Sequence, residues 1–393
     1  MDALTQLPYE QGDPTTVARR MRELQERGPV HPVKTVVGDS AWIVVHHEQV
    51  RDLLDDERLG RAHRQPEVAA RADASMMMGG PPPGLDFENE HEIHAQFRAL
   101  LQPLFAPKHM GSLRPRVQQL TTQLLDDLER QGAPADLHSA VAVPLPLLVI
   151  CELLGVPYED RDKFRVWIKD VSSTTDRVRS EAGMLEMFDY GAKLVAEKRR
   201  NPDDDVISRL AGNAELTDEQ VVMVSMSLLF AGHESTIVQI GMAVLLLLAN
   251  RDQWQRLVDD PSLVPNAVEE TLRASFRGGG AIPRYARTDI EVGTQKIAAG
   301  DLMLLDVGAA NHDPAVFDNA DRVDVTRPSS KHITFGHGSR YCLGAPLART
   351  ELQAILTNLV TRFPTMQLAV PVEELVIQRE TLGGGLVTLP VQW

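Results

Sequence analysis

The chain has 393 residues, of which 43% are hydrophobic and 24% are charged, a composition typical of soluble globular proteins. Its 40 basic and 55 acidic residues give a formal net charge of −15, which argues against a nucleic-acid-binding or anionic-membrane-binding surface. The two cysteines, Cys151 and Cys342, are too few for a disulfide scaffold and favour a reduced, cytoplasmic setting. No signal peptide is recognisable, and no uninterrupted apolar run is long enough for a membrane span.

The first 60 residues predict a charged helix followed by a β-hairpin. A helical pattern covers about residues 17–27. Two β-like runs, residues 33–37 and 41–45, are separated by Gly38-Asp39, a pair typical of hairpin turns.

Residues 61–90 are predicted to form a loop. Met76, Met77 and Met78 precede a run rich in glycine and proline that suits neither a regular helix nor a central strand. Because methionine side chains are flexible and apolar, these three residues are candidates for an adaptable patch facing a ligand. A mobile surface loop with one or two buried methionines explains the pattern equally well.

A helical pattern ending near Phe105 places His94 and Arg98 four residues apart, and therefore on one face. Two donors on one face suit a carboxylate or a phosphate, although solvated charged faces have the same pattern. Further helices are predicted over residues 112–131, 137–155 and 160–200, the last with a polar break at residues 172–175.

The longest predicted helix follows a capping box at Thr217–Gln220 and extends to about Ala249. Its middle, residues 231–236, contains a glycine, an acid and two hydroxyls. Because unpaired polar groups are costly to bury and glycine weakens a helix, we expect a functional break there. The structural alternative is close packing of a neighbour at Gly232, with Glu234 in an ion pair.

The next helix carries Glu270 and Arg273, a spacing common in surface ion pairs. Residues 276–310 change to short strands and turns, and a last helix is predicted over about residues 345–363. Three β-rich portions are therefore expected, near residues 30–60, 276–310 and 366–393.

The stretch from Phe335 to Gly344 contains Cys342 among three glycines. Glycine permits a tight bend, and a thiolate just before a helix faces backbone N–H groups and the positive helix end. This environment favours an anionic metal ligand. A free cysteine buried in a glycine-rich turn is the alternative interpretation.

The order of these motifs resembles the cytochrome P-450 superfamily of haem-thiolate monooxygenases, in its soluble bacterial form. The acid–alcohol pair, Glu-x-x-Arg, an arginine after a proline and Phe-x-x-Gly-x-Arg-x-Cys-x-Gly all occur in the family's order. The resemblance implies a mainly α fold with a small β region, in which a long central helix lies over one haem b. It also implies a single domain over residues 1–393.

In this resemblance Cys342 is the proximal thiolate ligand of the haem iron, and cationic side chains bind the haem propionates. Glu270 and Arg273 match a buried pair that supports the proximal side. The full set of implied cofactor-binding residues is His94, Arg98, Ala231, Gly232, Arg284, Phe335, Gly336, Gly338, Arg340, Cys342 and Gly344.

Glu234, Ser235 and Thr236 match the distal positions that deliver protons during oxygen activation. The family usually has threonine where this chain has Ser235, which keeps the hydroxyl but lacks the methyl group that restricts χ1. A second departure is the segment 84–91, which replaces a short proline-containing approach to His94.

Substrate contacts are implied by family position alone. The glycines at 278–280 leave little side-chain bulk, so we expect a roomy pocket for a bulky, mostly apolar small molecule of secondary metabolism. The residues implied to line it are Met76, Met77, Met78, Ser227, Phe230, Gly280, Ile282 and Leu382.

The chain has no dinucleotide fingerprint and is too short to include a flavin domain as well. The resemblance implies O2 as co-substrate, and we therefore expect electrons from a separate ferredoxin- or flavodoxin-type donor with its reductase. Lys108, Arg114 and Arg116 are candidates for docking an acidic donor, although solvated charges explain them equally well. A monomer is expected.

Hydroxylation or epoxidation is the leading predicted reaction. Oxidative coupling, in which hydrogen abstraction is followed by radical recombination, is an alternative within the same fold. A non-catalytic haem-binding sensor is a second alternative. A zinc site made from His332, His337 and Cys342 is a third, but it leaves the long helix and Glu270–Arg273 unexplained.

Overall fold

The computed structural model describes residues 4–81, 85–278, 280–328 and 331–393. Most of these residues are helical, as the resemblance implied. The α-helices are α1 Arg19–Arg27, α2 His47–Leu54, α3 Glu90–Leu101, α4 Pro107–Ser112, α5 Arg114–Gln131, α6 Pro144–Leu154, α7 Arg161–Val171, α8 Arg177–Arg200, α9 Val206–Ala211, α10 Asp218–Ala249, α11 Arg251–Asp259, α12 Val264–Ala274, α13 Val307–Asn311 and α14 Ala345–Arg362.

The strands form one mixed sheet of six strands, in the order β1-β2-β3-β9-β6-β4, and two smaller sheets, β10-β11-β5 and β7-β8. They occupy the predicted β-rich portions, with additional short strands outside them. The strands are β1 Thr5–Gln6, β2 Val30–Lys34, β3 Ser40–Val44, β4 Leu59–Gly60, β5 Ala135–Asp136, β6 Ala281–Ala286, β7 Ile290–Val292, β8 Gln295–Ile297, β9 Leu302–Asp306, β10 Gln367–Leu368 and β11 Pro390–Gln392.

The predicted hairpin is present, since β2 and β3 pair antiparallel with Lys34 opposite Ser40. Gly38 in its turn has φ +89°, a conformation that glycine adopts without steric cost. Strand β9 extends this sheet parallel to β3, and β6 pairs antiparallel with β9. The sheet therefore fixes the position of Arg284 on β6.

Two predicted helix boundaries were wrong. The 137–155 segment begins as a π-turn, His138–Ala142, and continues as α6 only from Pro144. Proline is favoured in the first turn of a helix, because the backbone N–H that it lacks would have no hydrogen-bond partner within the helix at that position. The helix predicted to end near Phe105 stops at Leu101, and α4 follows as a separate short helix. The polar break between α7 and α8 is confirmed.

Helix α10 begins at the predicted capping box. The hydroxyl of Thr217 accepts from the Gln220 N–H at 3.2 Å, and the Gln220 side chain accepts from the Thr217 N–H at 3.0 Å. The helix packs against α6, α8, α12 and α14 and lies in the main apolar cluster. It is long and apolar enough to cross a membrane, with 56% of its most apolar stretch buried in the protein, a property that core helices share.

The expected break in α10 was wrong. The helix is continuous from Asp218 to Ala249, because its polar residues find partners without unwinding it. The Ser235 hydroxyl donates to the Ala231 carbonyl at 3.0 Å, and the Thr236 hydroxyl donates to the Gly232 carbonyl at 3.3 Å. Hydroxyls on a helix commonly bond to the carbonyl one turn earlier.

Glu270 and Arg273 form a buried, bidentate ion pair rather than a surface pair. Arg273 donates Nε and Nη2 to the two carboxylate oxygens of Glu270 at 2.9 and 2.8 Å, and both side chains are at most 1% exposed. Arg273 also donates to the carbonyls of Asn311 and Ala320. Arg327 adds a second cation on Glu270 at 3.0 Å, so the pair fixes the irregular 311–328 segment to α12.

We predict that Arg273→Ala destabilises the protein strongly, by about 3–5 kcal/mol, because it leaves the Glu270 charge buried without its main partner. Chemical denaturation monitored by circular dichroism measures this. The matched control is Lys193→Ala, which removes an exposed pair with Asp189 in α8 and costs about 1 kcal/mol or less. Equal losses in the two variants would contradict the structural role of Arg273.

Candidate functional site

The Cys342 loop is held in a tight bend. Gly336 and Gly338 have φ of +77° and +67°, and the Cys342 N–H donates to the Phe335 carbonyl at 2.8 Å. A Cβ atom on Gly338 would lie 1.8 Å from the Asp55 carboxylate, which itself accepts from the Ser339 N–H. Glycine is therefore required at 338 for both its conformation and its contact.

The Cys342 thiol is exposed, and backbone N–H groups of Gly344 and Ala345 donate to it. Desolvation by the surrounding protein raises its pKa, and these N–H groups, with the positive charges of Arg98 and Arg349, oppose that rise. Helix α14 begins at Ala345, so the predicted position of the thiol before a helix N-terminus is present.

A network of side chains that contacts this loop was not predicted from the sequence. The Arg349 guanidinium lies 4.5 Å from the centre of the Phe335 ring and donates to the Tyr341 hydroxyl at 3.2 Å. Glu269 accepts two bonds from Arg349, at 2.7 and 2.8 Å, and lies 3.1 Å from His332 Nε2. Glu269 stands beside the recognised Glu270 but carries no motif of its own, so nothing in the sequence distinguished it.

Burial raises the pKa of the Glu269 carboxyl, but the hydrogen bonds from His332 and Arg349 outweigh it and hold that pKa at about 2. A carboxyl with a lowered pKa stabilises the folded state above its ordinary value of 4.5, and this contribution is lost as the pH falls toward about 2.

We therefore predict that Glu269→Gln lowers the free energy of unfolding at neutral pH, and that the difference from the wild type shrinks below about pH 4.5. Urea unfolding at a series of pH values measures this difference directly. A pH-independent difference would show that the Glu269 charge is not responsible.

A cluster of arginines surrounds Glu90. Glu90, which is 1% exposed, accepts from Arg340 Nη2 at 2.7 Å and lies 3.6 Å from Arg287. It also accepts from the N–H groups of Arg61 and Ala62. Sequence reasoning missed Glu90, although its spacing of four from His94 places both on one face of α3.

Arg284 belongs to the same cluster and is 7% exposed. Among the described residues the only hydrogen bond of its side chain is from Nη1 to the neighbouring Pro283 carbonyl at 2.8 Å. Burial, Arg340 and Arg61 together lower the pKa of Arg284 to about 9, against the opposing charge of Glu90. A buried guanidinium without a carboxylate of its own indicates a site for an anionic ligand.

His94 and Arg98 both lie on α3 and are half-buried. Burial and the nearby charges of Arg340 and Arg98 lower the pKa of His94 to about 4, so His94 is neutral at pH 7. Arg98 donates through Nη1 to the Tyr341 carbonyl and therefore contacts the Cys342 loop directly. The structure thus brings together all four predicted propionate-binding residues, with His94, Arg98 and Arg284 close to Arg340 of the loop.

Helix α10 is mostly buried, but Ala231 and Ser235 on one face are exposed. The space over this face is open. Gly232, in contrast, lies against Ile150, and a Cβ atom on Gly232 would lie 2.8 Å from the Ile150 side chain. Thr236 is buried and bonds only within the helix among the described residues. Of the two adjacent hydroxyls, Ser235 alone therefore faces the open space.

Glu234 points to the other side of α10. Its carboxylate accepts from the Ser172 hydroxyl, at the break between α7 and α8, and from the Gly383 N–H at 3.2 Å. Burial raises the pKa of Glu234, and these hydrogen bonds limit the rise. The expected alternative of an ion pair is not formed with any described residue.

A model of the cytochrome P-450 family matches residues 11–390. The chain belongs to the cytochrome P-450 family. It is 40% identical over 397 residues to pentalenolactone synthase of Streptomyces exfoliatus, with 100% of both chains covered. The solved structure of a polyene macrolide antibiotic pimaricin epoxidase has a TM-score of 0.89 at 38% identity, again over 100% of both chains. A cytochrome P-450 with biaryl coupling reactivity has a TM-score of 0.89 at 31% identity over 100% of both chains.

This cytochrome P-450 is a monooxygenase, an oxidoreductase of a family that uses a haem ligated by a cysteine thiolate. The observed residues fit that group. An exposed thiol with N–H donors suits an anionic ligand of a metal, and the surplus of buried and half-buried arginines around Glu90 suits two propionates. The zinc alternative is not supported, since the described residues contain no cluster of three metal-ligating side chains. Cys151 is buried in α6, and both cysteines are free.

Hydrogen bonds connect the methionine segment, residues 76–78, to α7 and α8. Ser75 and Ser180 hydroxyls both donate to the Val171 carbonyl, and the Met76 N–H donates to the Ser180 hydroxyl at 2.9 Å. Arg61 donates to the Met77 carbonyl at 2.7 Å and lies 3.3 Å from the Met78 sulfur. Hydrogen bonds therefore hold this segment in place, and it is not a free loop.

The remaining predicted substrate residues are distributed around α10 and the sheet. Gly280 and Leu382 line one cavity of about 210 Å³, which Val238 of α10 also lines. Ser227 and Phe230 are half-buried on α10, and Ile282 packs against the sheet core. Gly279 and Gly84, which belong to two of the segments discussed above, lie outside the described residues.

We predict that Arg284→Leu weakens haem binding by about 10- to 100-fold, because a charge-assisted hydrogen bond contributes roughly 1.5–3 kcal/mol. Haem transfer to an excess of apomyoglobin measures the dissociation rate. Arg284→Lys is the matched variant, since it keeps the charge and should fall between the wild type and Arg284→Leu. Unchanged haem release in Arg284→Leu would contradict the assignment.

Proposed function

We propose that this cytochrome P-450 holds haem b through Cys342 and oxidises a bulky, mostly apolar small molecule of secondary metabolism by hydroxylation or epoxidation. The observation that carries this proposal is the buried arginine cluster beside an exposed thiol. The arginines of this cluster outnumber its carboxylates, and a cofactor with two carboxylates would supply the missing negative charges.

The haem, when bound through a thiolate, supplies the activation of O2. The residues of the chain hold it in place. Arg284, Arg340 and Arg98 would donate to the propionates, and His94 would add an N–H donor. Phe335, Gly336, Gly338 and Gly344 shape the loop that presents Cys342.

Glu234 and Ser235 handle protons on the distal side in this proposal. Their chemistry is complementary, because the raised pKa of Glu234 favours a form that can release a proton and Ser235 faces the open space. Serine can exchange its bond to the Ala231 carbonyl for one to a water molecule, so it can pass a proton from the acid side to the cleft. Thr236 supports the helix beside them.

The substrate lies against the face of α10 that carries Ser227, Phe230 and Ala231. The methionine segment, Gly280, Ile282 and Leu382 enclose it in this proposal. Relatives named as a polyene macrolide antibiotic epoxidase and as pentalenolactone synthase support a bulky natural-product substrate.

Electrons come from a separate ferredoxin- or flavodoxin-type donor with its reductase. Of the candidate docking cations, Arg116 is paired with Glu152 at 2.8 Å, while Lys108 and Arg114 have no acidic partner among the described residues. We therefore assign donor docking to Lys108 and Arg114. The free thiols of Cys151 and Cys342 are consistent with a reducing cytoplasm, and we propose a monomer.

Reconstitution with a donor system and O2 labelled with the heavy oxygen isotope tests the reaction type. Candidate substrates are first selected by the shift that they cause in the haem Soret band. Hydroxylation or epoxidation incorporates one labelled atom into the product. Oxidative coupling, which the relative with biaryl coupling reactivity makes the second candidate, incorporates none. A sensor would show no substrate-dependent O2 consumption.

We predict that Ser235→Ala lowers product formation by about 10- to 100-fold, since positioned proton transfer contributes at least this much. The lost turnover should appear as hydrogen peroxide. Ser235→Thr should give at least the wild-type ratio of product to peroxide, because the methyl group restricts χ1 and keeps the hydroxyl in place. The ratio of product to reductant consumed measures both. Wild-type coupling in Ser235→Ala would exclude the hydroxyl from proton delivery.

A further inference from the structure

A cavity of about 170 Å³ lies on the side of α10 that carries the Glu234 carboxyl. It is bounded by α7, by the π-turn before α6, by α10 and by the C-terminal segment. Arg165 and Lys169 of α7 line it and are exposed, whereas His233 and Glu234 line it from α10. The cavity therefore extends from solvent to the acid.

The histidines of this cavity have unused hydrogen-bonding atoms. His233 is 5% exposed, and neither of its ring nitrogens has a partner among the described residues. His138, from the π-turn, has an unpartnered buried Nδ1 as well. Buried polar groups without protein partners are normally satisfied by ordered water. A water molecule occupies roughly 30 Å³, so the cavity has room for several.

Burial favours the neutral form of both imidazoles. Burial, with a smaller effect of Arg165, lowers the pKa of His233 to about 4. Burial also lowers the pKa of His138, against the opposing charge of Asp136. A neutral imidazole has one N–H donor and one acceptor nitrogen, so it can orient a water molecule on each side.

We propose that His233 and His138 hold a file of water molecules that connects solvent near Arg165 and Lys169 with the carboxyl group of Glu234. Each proton that Glu234 releases during turnover is replaced by one from bulk water along this file, so no other reactant is needed. His233 acts through the waters and is a positioning residue. The proposal rests on the proposed role of Glu234 in proton delivery.

The first test is structural and does not depend on turnover. A high-resolution crystal structure of the ferric enzyme should show ordered waters within hydrogen-bonding distance of both ring nitrogens of His233, continuing to Glu234. A dry cavity, or an anion bound to His233 in place of water, would overturn the proposal.

The second test compares two substitutions of His233. His233→Leu removes both polar atoms and should raise the fraction of reductant lost as hydrogen peroxide several-fold. His233→Gln keeps a donor and an acceptor and should stay close to the wild type. His109→Gln, at a histidine of α4 outside the cavity, is the matched control and should leave the peroxide fraction unchanged. Equal peroxide fractions in His233→Leu and the wild type would overturn the proposal, as would equal losses in the Leu and Gln variants.

Glu234→Gln separates failure of this proposal from failure of the proposed function. If Glu234→Gln raises the peroxide fraction and His233→Leu does not, the water file is wrong and the acid role stands. If neither variant changes it, the role of Glu234 fails and the water file fails with it. If His233→Leu does not fold, His138→Leu tests the same file of water molecules at its other histidine. The same several-fold rise in the peroxide fraction is expected.

Discussion

The structure depends on a charge imbalance around one buried carboxylate. Glu90 is surrounded by the guanidinium groups of Arg340 and Arg287 and by the backbone of Arg61, and Arg284 lies in the same cluster without a carboxylate of its own. These residues come from α3, β6, the Cys342 loop and the segment after β4. One carboxylate cannot neutralise them, and buried unpaired charge is costly. We therefore propose that a dicarboxylate haem, when bound, stabilises this cluster, so that haem binding is coupled to the stability of the folded chain.

Helix α12 holds the neighbouring segments through two consecutive glutamates. Glu270 binds Arg273 and Arg327 and fixes the irregular segment, while Glu269 binds Arg349 beneath the Cys342 loop. The aromatic ring of Phe335 is stacked on Arg349, so the loop is connected to α12 through one guanidinium. A single helix thus supports both the irregular 311–328 segment and the loop that carries the thiol.

Motifs with a fixed local chemistry were predictable from the sequence. The capping box of α10, the hairpin turn at Gly38 and the glycine-rich Cys342 loop each depend on residues close together in the chain. The continuity of α10 was not predictable, because it depends on where each hydroxyl finds a partner. Glu90 and the cavity at His233 were missed for a related reason. Their significance comes from residues more than 100 positions away, Arg340 and Thr381, and a single sequence does not record that proximity.

The central claim is that Cys342 and the arginine cluster together form a haem-thiolate site. The most direct measurement is the difference spectrum of the reduced protein with and without carbon monoxide, for the wild type and for Cys342→Ala. The wild type should show the red-shifted Soret band that thiolate ligation produces, and Cys342→Ala should lose it while the arginines still bind the propionates. A haem-loaded wild type without this band, or its survival in Cys342→Ala, would contradict the account.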